Sequence, residues 1–344
     1  MNIFKIIKTK ILYKKSFKDE VINTLNVSFL NVLKKTDKYR SVGVEFVKNG
    51  KYAVVIMAGG MGSRLGLNIP KGCIKINDKS LFEIYVDKLK KVNSELNIEI
   101  PIYIMTSKNN NISTQKFFKS NNFFSYPQDK VKFFVQDELP ILNKSGKVVN
   151  YNKSILMGPN GNGDVFKSLK RNNLINDMKL NNIEYALFVN IDNPLNNLVD
   201  FDFIGATIAK KYKLSSKTIK LDKPNEWIFI KYNKRPYMLP LGYIGKFFNK
   251  LVNGEYLYRY KNISYHLIHI DLIEKFSKIN LKYHRAYKLT KIDKDKEIES
   301  FKFEKFIFDA FYYADDMLLY ETDNKEFYPI KNIKDLEYFK KNNH

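Results

Sequence analysis

The chain has 344 residues, 44% of them hydrophobic and 15% aromatic, enough to bury the core of one large domain with appendages or of two domains, and too apolar for long disorder. Its 59 Lys and Arg against 36 Asp and Glu leave a formal charge of +23, a field that attracts nucleic acid, anionic membranes or phosphorylated metabolites. No Arg/Gly tract or Cys/His zinc spacing accompanies the charge, and the Lys-, Asn- and Ile-rich, Ala-poor composition is what an AT-rich genome produces, so compositional bias is favoured over a charge-driven role.

The first residues, "MNIFKIIKTKILYKK", are basic and amphipathic. They lack a continuous apolar stretch and a small-residue cleavage site and do not read as a signal peptide; a helix lying on a surface stays open. Apolar residues at helical spacing in "DEVINTLNVSFLNVLKK" carry the helical reading to about residue 50, as a lead-in cap. At Tyr52 the pattern changes. "YAVVIMA" is a continuous apolar run of strand length, suited to a strand buried on both faces. A glycine loop follows, and then "SLFEIYVDKLKKV", helical in period with Ser80 as N-cap. Next come a strand "IPIYIMTS", a helix "STQKFFKSN", a strand "KVKFFVQ", a helix "DVFKSLKRNNLI" and a strand "EYALFVNID". This alternation predicts a parallel α/β sheet with right-handed crossovers. Between residues 214 and 260, short alternating runs such as "WIFIKY" predict antiparallel hairpins, a plausible substrate lid. "FEKFIFDAFYYADDMLLYE" reads as an amphipathic helix running into a strand, and the tail from Asn324 is charged and mostly polar. No segment reaches the length of a membrane span. The single cysteine, Cys73, excludes an intramolecular disulfide, fits a reducing cytosol and reads as a small buried residue.

Three stretches carry chemistry. In "VVIMAGGMGSRLGLNIPKG", Gly59, Gly60 and Gly62 follow a buried strand and lack Cβ atoms, so a ligand can approach their main chain closely. Amides in such a loop can cradle phosphate oxygens; Arg64 can fork onto a phosphate and Lys71 can act as a point charge. The spacing is neither that of the Walker loop nor that of the dinucleotide fingerprint, and a tight turn with solvated cations is the competing reading. In "PNGNGDVF", Gly161, Asn162 and Gly163 precede a helix; a turn with a cap would also use them. In "NIDNPL", Asp192 ends a strand where open α/β sheets place their ligands, and it can hold Mg²⁺ bound to phosphates or simply cap a turn. His266 and His284 read as structural.

The opening loop resembles that of the eukaryotic-type UDP-sugar pyrophosphorylases, and most closely that of the UDP-N-acetylglucosamine pyrophosphorylases. "IYIMTS", "FFVQDELPIL", "PNGNGDVFKSL", "NIDNPLNNLVDFDFIG", "KNISYH", "FKFEKFIFDAFYYADDMLLYE" and "FYPIKN" resemble the same family's successive blocks, in order. The likeness covers roughly residues 52–332. It implies a nucleotidyltransferase-type, Rossmann-like α/β fold: a mixed-sheet core flanked by helices, with an N-terminal helical cap and a small C-terminal portion. The corresponding divisions are 1–50, 51–295 for the catalytic domain, and 296–344.

The resemblance also implies a reaction, UTP plus a sugar 1-phosphate giving a UDP-sugar and pyrophosphate, with Mg²⁺ as cofactor. By resemblance Ala58, Gly59, Gly60 and Gly62 wrap the uridine and triphosphate. Arg64 and Lys71 fall on the phosphate-binding cations, and Lys331 on a late lysine that reaches the phosphates. Gln136 matches the glutamine that hydrogen-bonds uracil, and Gly161 the glycine packed beside the base. Asn162 and Asn262 match sugar-contacting asparagines, and Asp192 the aspartate of the metal and phosphate site. The chemistry agrees: a sugar phosphate is already a nucleophile, so catalysis is positioning and neutralisation of two polyanions. A departure stands at "YMLPLGYIGK", where the family's Glu-Tyr-Ser sugar-contacting element has no glutamate in register. The expected substrate is N-acetylglucosamine 1-phosphate, with glucose 1-phosphate as the alternative. The expected location is cytoplasmic, with no specific nucleic-acid partner. A nucleotide-sugar binder without turnover, or a nucleic-acid binder, is the reading of another class.

Overall fold

The fold is that of a computed structural model, which describes residues 2–14, 24–62, 65–151, 154–221, 227–240, 251–252, 254–291 and 297–342. Its centre is a mixed sheet. In chain order the strands that matter are β1 (Asn31–Lys34), β2 (Tyr52–Met57), β3 (Ile102–Thr106), β4 (Val131–Val135), β5 (Tyr185–Asn190), β6 (Leu214–Lys220), β7 (Trp227–Tyr232), β8 (Arg235–Pro240), β9 (Tyr260–His269), β10 (His284–Lys291), β11 (Glu297–Glu304) and β12 (Leu318–Glu321). The helices that matter are α1 (Asn2–Lys14), α2 (Arg40–Lys48), α3 (Leu81–Leu96), α4 (Asn111–Ser120), α5 (Val165–Arg171), α6 (Phe201–Ala209), α7 (Ile270–Lys278) and α8 (Ile333–Asn342).

The main sheet runs β1-β12-β6-β9-β5-β2-β3-β4. Strands β5, β2, β3 and β4 are mutually parallel. These are the strands for which the strand–helix alternation predicts parallel pairing, and the sheet as a whole is mixed, as the family resemblance implies, because β9 lies antiparallel to both β5 and β6. Along β2, Val54 and Ile56 enter one core layer, and Ala53, Val55 and Met57 the other. A strand buried on both faces has no solvent side to mark with polar residues, which is why it reads as an unbroken apolar run. Helices α2, α3 and α6 contribute to the first layer, and α5 and α7 to the second.

Two elements differ from the sequence expectation. Within the stretch read as helical up to residue 50, α1 and α2 are helical, but the described residues between them include a 3₁₀ turn (Thr24–Asn26), a short strand (Val27–Ser28) and β1. Strand β1 pairs in parallel with β12. It covers what would otherwise be an open strand edge, a tertiary demand that helical spacing cannot register. In the late aromatic run the helix is a 3₁₀ segment, Ile307–Tyr313, with Ile307, Phe308, Ala310 and Phe311 buried. Their spacing satisfies either helix type, and Asn162, whose Oδ1 accepts from the Ile307 N–H, fixes where the segment starts. The expected hairpin is present as β7 antiparallel to β8.

Candidate active site

Strands β2, β3, β4 and β5 all release their chains at one edge of the sheet, and each carboxyl end supplies part of a site. From β2 the chain goes in both directions across the sheet, to β3 and β4 on one side and β5 on the other. Such a reversal opens a crevice beyond the strand ends.

The glycine loop leaves β2 through Ala58, whose N–H donates to the Met105 carbonyl at 2.8 Å. Asn110, fully buried, then fixes the loop from the neighbouring turn. Its Nδ2 donates to the carbonyls of Ala58 and Gly60 (2.9 and 3.2 Å), and its Oδ1 accepts from the Ser107 N–H at 2.7 Å. The loop returns on itself: the Gly62 N–H reaches the Ile69 carbonyl at 2.9 Å and the Lys71 N–H the Gly60 carbonyl at 3.1 Å. Gly60 is exposed and opens onto free space, while a Cβ on Gly59 would stand 1.8 Å from Gln136 Nε2. Only glycine lets the loop lie against that amide.

Gln136 follows directly on β4. It is buried, and its Oε1 has no hydrogen-bond partner. An orphaned buried carbonyl costs about 1–3 kcal/mol unless a ligand donates to it. Gly161 stands beside this end of the site, since the Asn160 N–H donates to the Asp137 carbonyl at 2.8 Å. It adopts φ +86°, and a Cβ there would meet the Lys305 carbonyl at 2.6 Å. Asn162, next in the chain, has its Oδ1 engaged by the Ile307 N–H at 3.1 Å.

At the other end, Lys71 Nζ donates to Asp192 Oδ2 at 3.1 Å. Both side chains are partly accessible, so a ligand can reach them. The Asp192 carbonyl accepts from the Ile330 N–H at 2.8 Å, which seats Lys331 beside it; the Lys331 side chain is exposed. Asn193 makes the same junction from its side chain, donating to the Glu326 carbonyl (3.0 Å) and accepting from the Tyr328 N–H (3.0 Å). Asn262 lies on β9, whose register pairs Val189 with Tyr265. It therefore continues past the carboxyl end of β5, toward the level of Asp192. Arg64 lies outside the described residues, as do residues 241–246 of "YMLPLGYIGK".

The structure thus brings together Ala58, Gly59, Gly60, Gly62, Gln136 and Gly161 at one end and Lys71, Asp192 and Lys331 at the other, with the glycine loop between. Sequence reasoning missed Asn110 and Asn193, which shape the loop and the Lys331 junction. Each is one asparagine among many, and only its position after a strand end sets it apart. Lys305 was missed too. It is buried, which pushes its ammonium down to about 8, and it lies behind Gly161. Among the described residues no cluster of three or more His, Cys, Asp or Glu could hold a metal by itself. Mg²⁺ does not need one: it commonly takes one or two carboxylates plus substrate phosphates, and Asp192 fits that role.

Residues 1–344 match a family model described as UTP–glucose-1-phosphate uridylyltransferase. The chain is 32% identical over 329 residues to UDP-N-acetylglucosamine diphosphorylase 2 of Arabidopsis thaliana, a match covering 88% of this chain and 65% of that one. It is 30% identical over 334 residues to UDP-N-acetylglucosamine pyrophosphorylase of Saccharomyces cerevisiae, covering 89% and 69%. The chain thus spans about two thirds of the length of these relatives. Among solved structures, the uridine diphosphate N-acetylglucosamine pyrophosphorylase of Trypanosoma brucei superposes with a TM-score of 0.81 at 24% identity, covering 98% of this chain and 75% of that one; at that identity the likeness speaks for the fold.

Proposed function

The chain belongs to the UTP–glucose-1-phosphate uridylyltransferase family, and on that premise we propose that it joins UTP to a sugar 1-phosphate, N-acetylglucosamine 1-phosphate in the first place, releasing pyrophosphate. The observation that carries this reading is one glycine loop with an unpartnered amide oxygen at one end and a cation–carboxylate pair at the other. A base bearing an N–H satisfies Gln136 Oε1. The triphosphate then runs along Gly59, Gly60 and Gly62 toward Lys71. The sugar names of the relatives support N-acetylglucosamine, and Asn162 and Asn262 are the candidate sugar contacts. The family description keeps glucose 1-phosphate as the second reading.

In this mechanism a phosphate oxygen of the sugar 1-phosphate attacks the α-phosphorus of UTP in line. The new P–O bond forms as the bond to the β-phosphate oxygen breaks, and the electron pair leaves on pyrophosphate. Lys71 and Lys331, with Arg64, neutralise the gathering charge, a contribution of the kind worth about 10²–10³ in rate per donor. Mg²⁺ held by Asp192 together with the substrate phosphates would lower their mutual repulsion. Gln136 and Gly161 hold the base so that the α-phosphorus stays on the line of attack. No protein nucleophile is required; burial pushes the Cys73 thiol up to about 12, consistent with an inert residue. No helix among the described residues is long and apolar enough to cross a membrane, and a single cysteine and UTP as substrate fit a cytoplasmic enzyme.

The test is pyrophosphate release by the purified chain with N-acetylglucosamine 1-phosphate and each of UTP, CTP, ATP and GTP, with Mg²⁺ or with EDTA. Turnover confined to UTP and Mg²⁺ supports the assignment. Equal turnover with all four nucleotides, or turnover indifferent to EDTA, removes the roles given to Gln136 and Asp192.

A further inference from the structure

The residues on either side of Gln136 are gripped by a buried carboxylate and a half-exposed guanidinium that the reaction itself does not use. Asp164 is 2% exposed. Its Oδ2 accepts from the Asp137 N–H at 2.7 Å and from the Ser168 hydroxyl at 2.8 Å. Arg171, two turns further along, donates from Nη2 to the Val135 carbonyl at 2.9 Å and to Ser168 Oγ at 3.0 Å, and stands 3.7 Å from Asp164. Val135 is therefore held by Arg171 and Asp137 by Asp164, while the Gln136 N–H itself donates to the Thr106 carbonyl at 2.9 Å.

Two features set this arrangement apart from ordinary helix capping. Asp164 occupies the N-cap position of α5 yet makes no side-chain cap hydrogen bond to that helix. A carboxylate is favoured there because it satisfies the helix's own free N–H groups; this one is spent on the neighbouring strand end. It is also almost fully desolvated, a state that costs several kcal/mol for an ion unless strong partners offset it. The same residue follows Gly161 and Asn162 by three and two positions, and the Asn160 N–H donates to the Asp137 carbonyl at 2.8 Å. One carboxylate thus ties the "PNGNGD" turn to the turn carrying Gln136.

We propose that Asp164 and Arg171 are positioning residues for base selection. They fix the backbone from Val135 to Asp137 so that the unpartnered Gln136 Oε1 points where a uracil N–H arrives. Cytosine presents an acceptor, not an N–H, at the corresponding ring nitrogen, so the aim of that oxygen decides between the two. This rests on the reading of Gln136 given above. A long side chain with no partner of its own has its direction set by its backbone and by Gly59 packed against it.

The experiment is binding of UTP and of CTP, each with Mg²⁺, measured by calorimetry on the full chain and on Gln136→Ala, Asp164→Ala, Asp164→Asn and Arg171→Gln. Binding is read rather than turnover, and the quantity is the ratio of the two affinities, which a general loss of stability leaves unchanged. Gln136→Ala and Asp164→Ala are each expected to lower the UTP-over-CTP ratio by about 10-fold, the size expected for one misplaced buried polar contact. Asp164→Asn keeps an acceptor oxygen for the Asp137 N–H and should retain most of the preference. Arg171 is half-exposed, so Arg171→Gln should fold even if Asp164→Ala does not, and it too should reduce the ratio. A ratio that collapses in Gln136→Ala but stays at the wild-type value in Arg171→Gln and in the folded Asp164 variants reduces the clamp to a structural feature. A ratio unchanged in Gln136→Ala overturns the base-reading role, and the clamp proposal falls with it.

Discussion

Lys71 and Asp192 come from different crossovers and meet at 3.1 Å with both side chains partly open to solvent. A single partly accessible pair on a loop adds little to the core, and its place between the glycine loop and a strand end suits charge neutralisation. Lys71→Ala should therefore lower kcat by about 10²-fold or more while leaving the melting temperature nearly unchanged; kcat and thermal unfolding measured on the same preparation check both halves. His266 provides the opposite case, a residue that answers to stability alone. It is fully buried, and burial lowers its pKa to about 3 from the usual 6.5, so it stays neutral in the fold. Its Nδ1 lies 2.6 Å from Ser216 Oγ. Between pH 6.5 and 3 the unfolded chain takes up a proton there that the folded chain refuses, so this residue's contribution is lost as the pH falls. The expected slope is about 1.4 kcal/mol per pH unit for one proton. Denaturant unfolding across that window should show it, and a folded His266→Gln variant should show a shallower fall. An identical acid slope in the two proteins would mean that His266 is protonated in the fold.

Helix α3 shows how one element serves both fold and site. Ser80 caps it in a reciprocal box with Glu83: the Glu83 N–H donates to Ser80 Oγ at 3.1 Å and the Ser80 N–H to Glu83 Oε2 at 3.4 Å. One turn in, the Tyr85 hydroxyl bridges the carbonyls of Asn190 and Asn193 at 2.9 and 2.8 Å. Lys88 then donates to the carbonyls of Pro194 and Asn196 at 2.6 and 2.8 Å. The loop that presents Asp192 is thus bound to the face of α3. Ser80→Ala should cost about 1 kcal/mol, read as a shift in the urea midpoint at constant slope; a shift within error would show that the box adds nothing to the tertiary packing of α3. This helix was legible in the sequence because its cap and its 3.6-residue period agree, and β2, β3 and β5 were legible because strands buried on both faces read as apolar runs. Strand β1 was not. Four residues with exposed Asn31 and Lys34 carry no period, and their pairing is dictated by β12, almost 300 residues away. Within the site, the glycines and Lys71 announced themselves by motif. Asn110 and Asn193 act through main-chain carbonyls and amides, a role that any asparagine in an asparagine-rich chain could fill.

Across the molecule, the segment that brings Lys331 to the site is anchored by charge. Lys217, buried in β6, lies 2.5 Å from Asp200 and 2.7 Å from Glu326, and Lys35 reaches Glu326 from the other side at 2.6 Å. Burial opposes ionisation of Glu326, but Lys217 and Lys35 prevail and hold its carboxyl at about 2. Lys217→Met would leave the buried Asp200 without its cation and Glu326 with Lys35 alone; removing one partner of a buried pair costs about 3–5 kcal/mol, and a melt should show the loss. The +23 charge has no comparable structure behind it. Held only by phosphate contacts, duplex DNA should bind weakly, and its affinity should collapse between roughly 50 and 200 mM salt, while turnover responds more mildly. Tight, sequence-selective DNA binding at the upper end would restore the nucleic-acid reading. The central claim is the transfer of a uridylyl group to a sugar 1-phosphate, and it is tested most directly by pyrophosphate release from UTP with N-acetylglucosamine, glucose, N-acetylgalactosamine and galactose 1-phosphates under one set of conditions. The account predicts turnover with N-acetylglucosamine 1-phosphate as the preferred acceptor and its loss in Lys71→Ala. No pyrophosphate from any of the four, with UTP still bound, would contradict it and make the chain a nucleotide-binding protein without turnover.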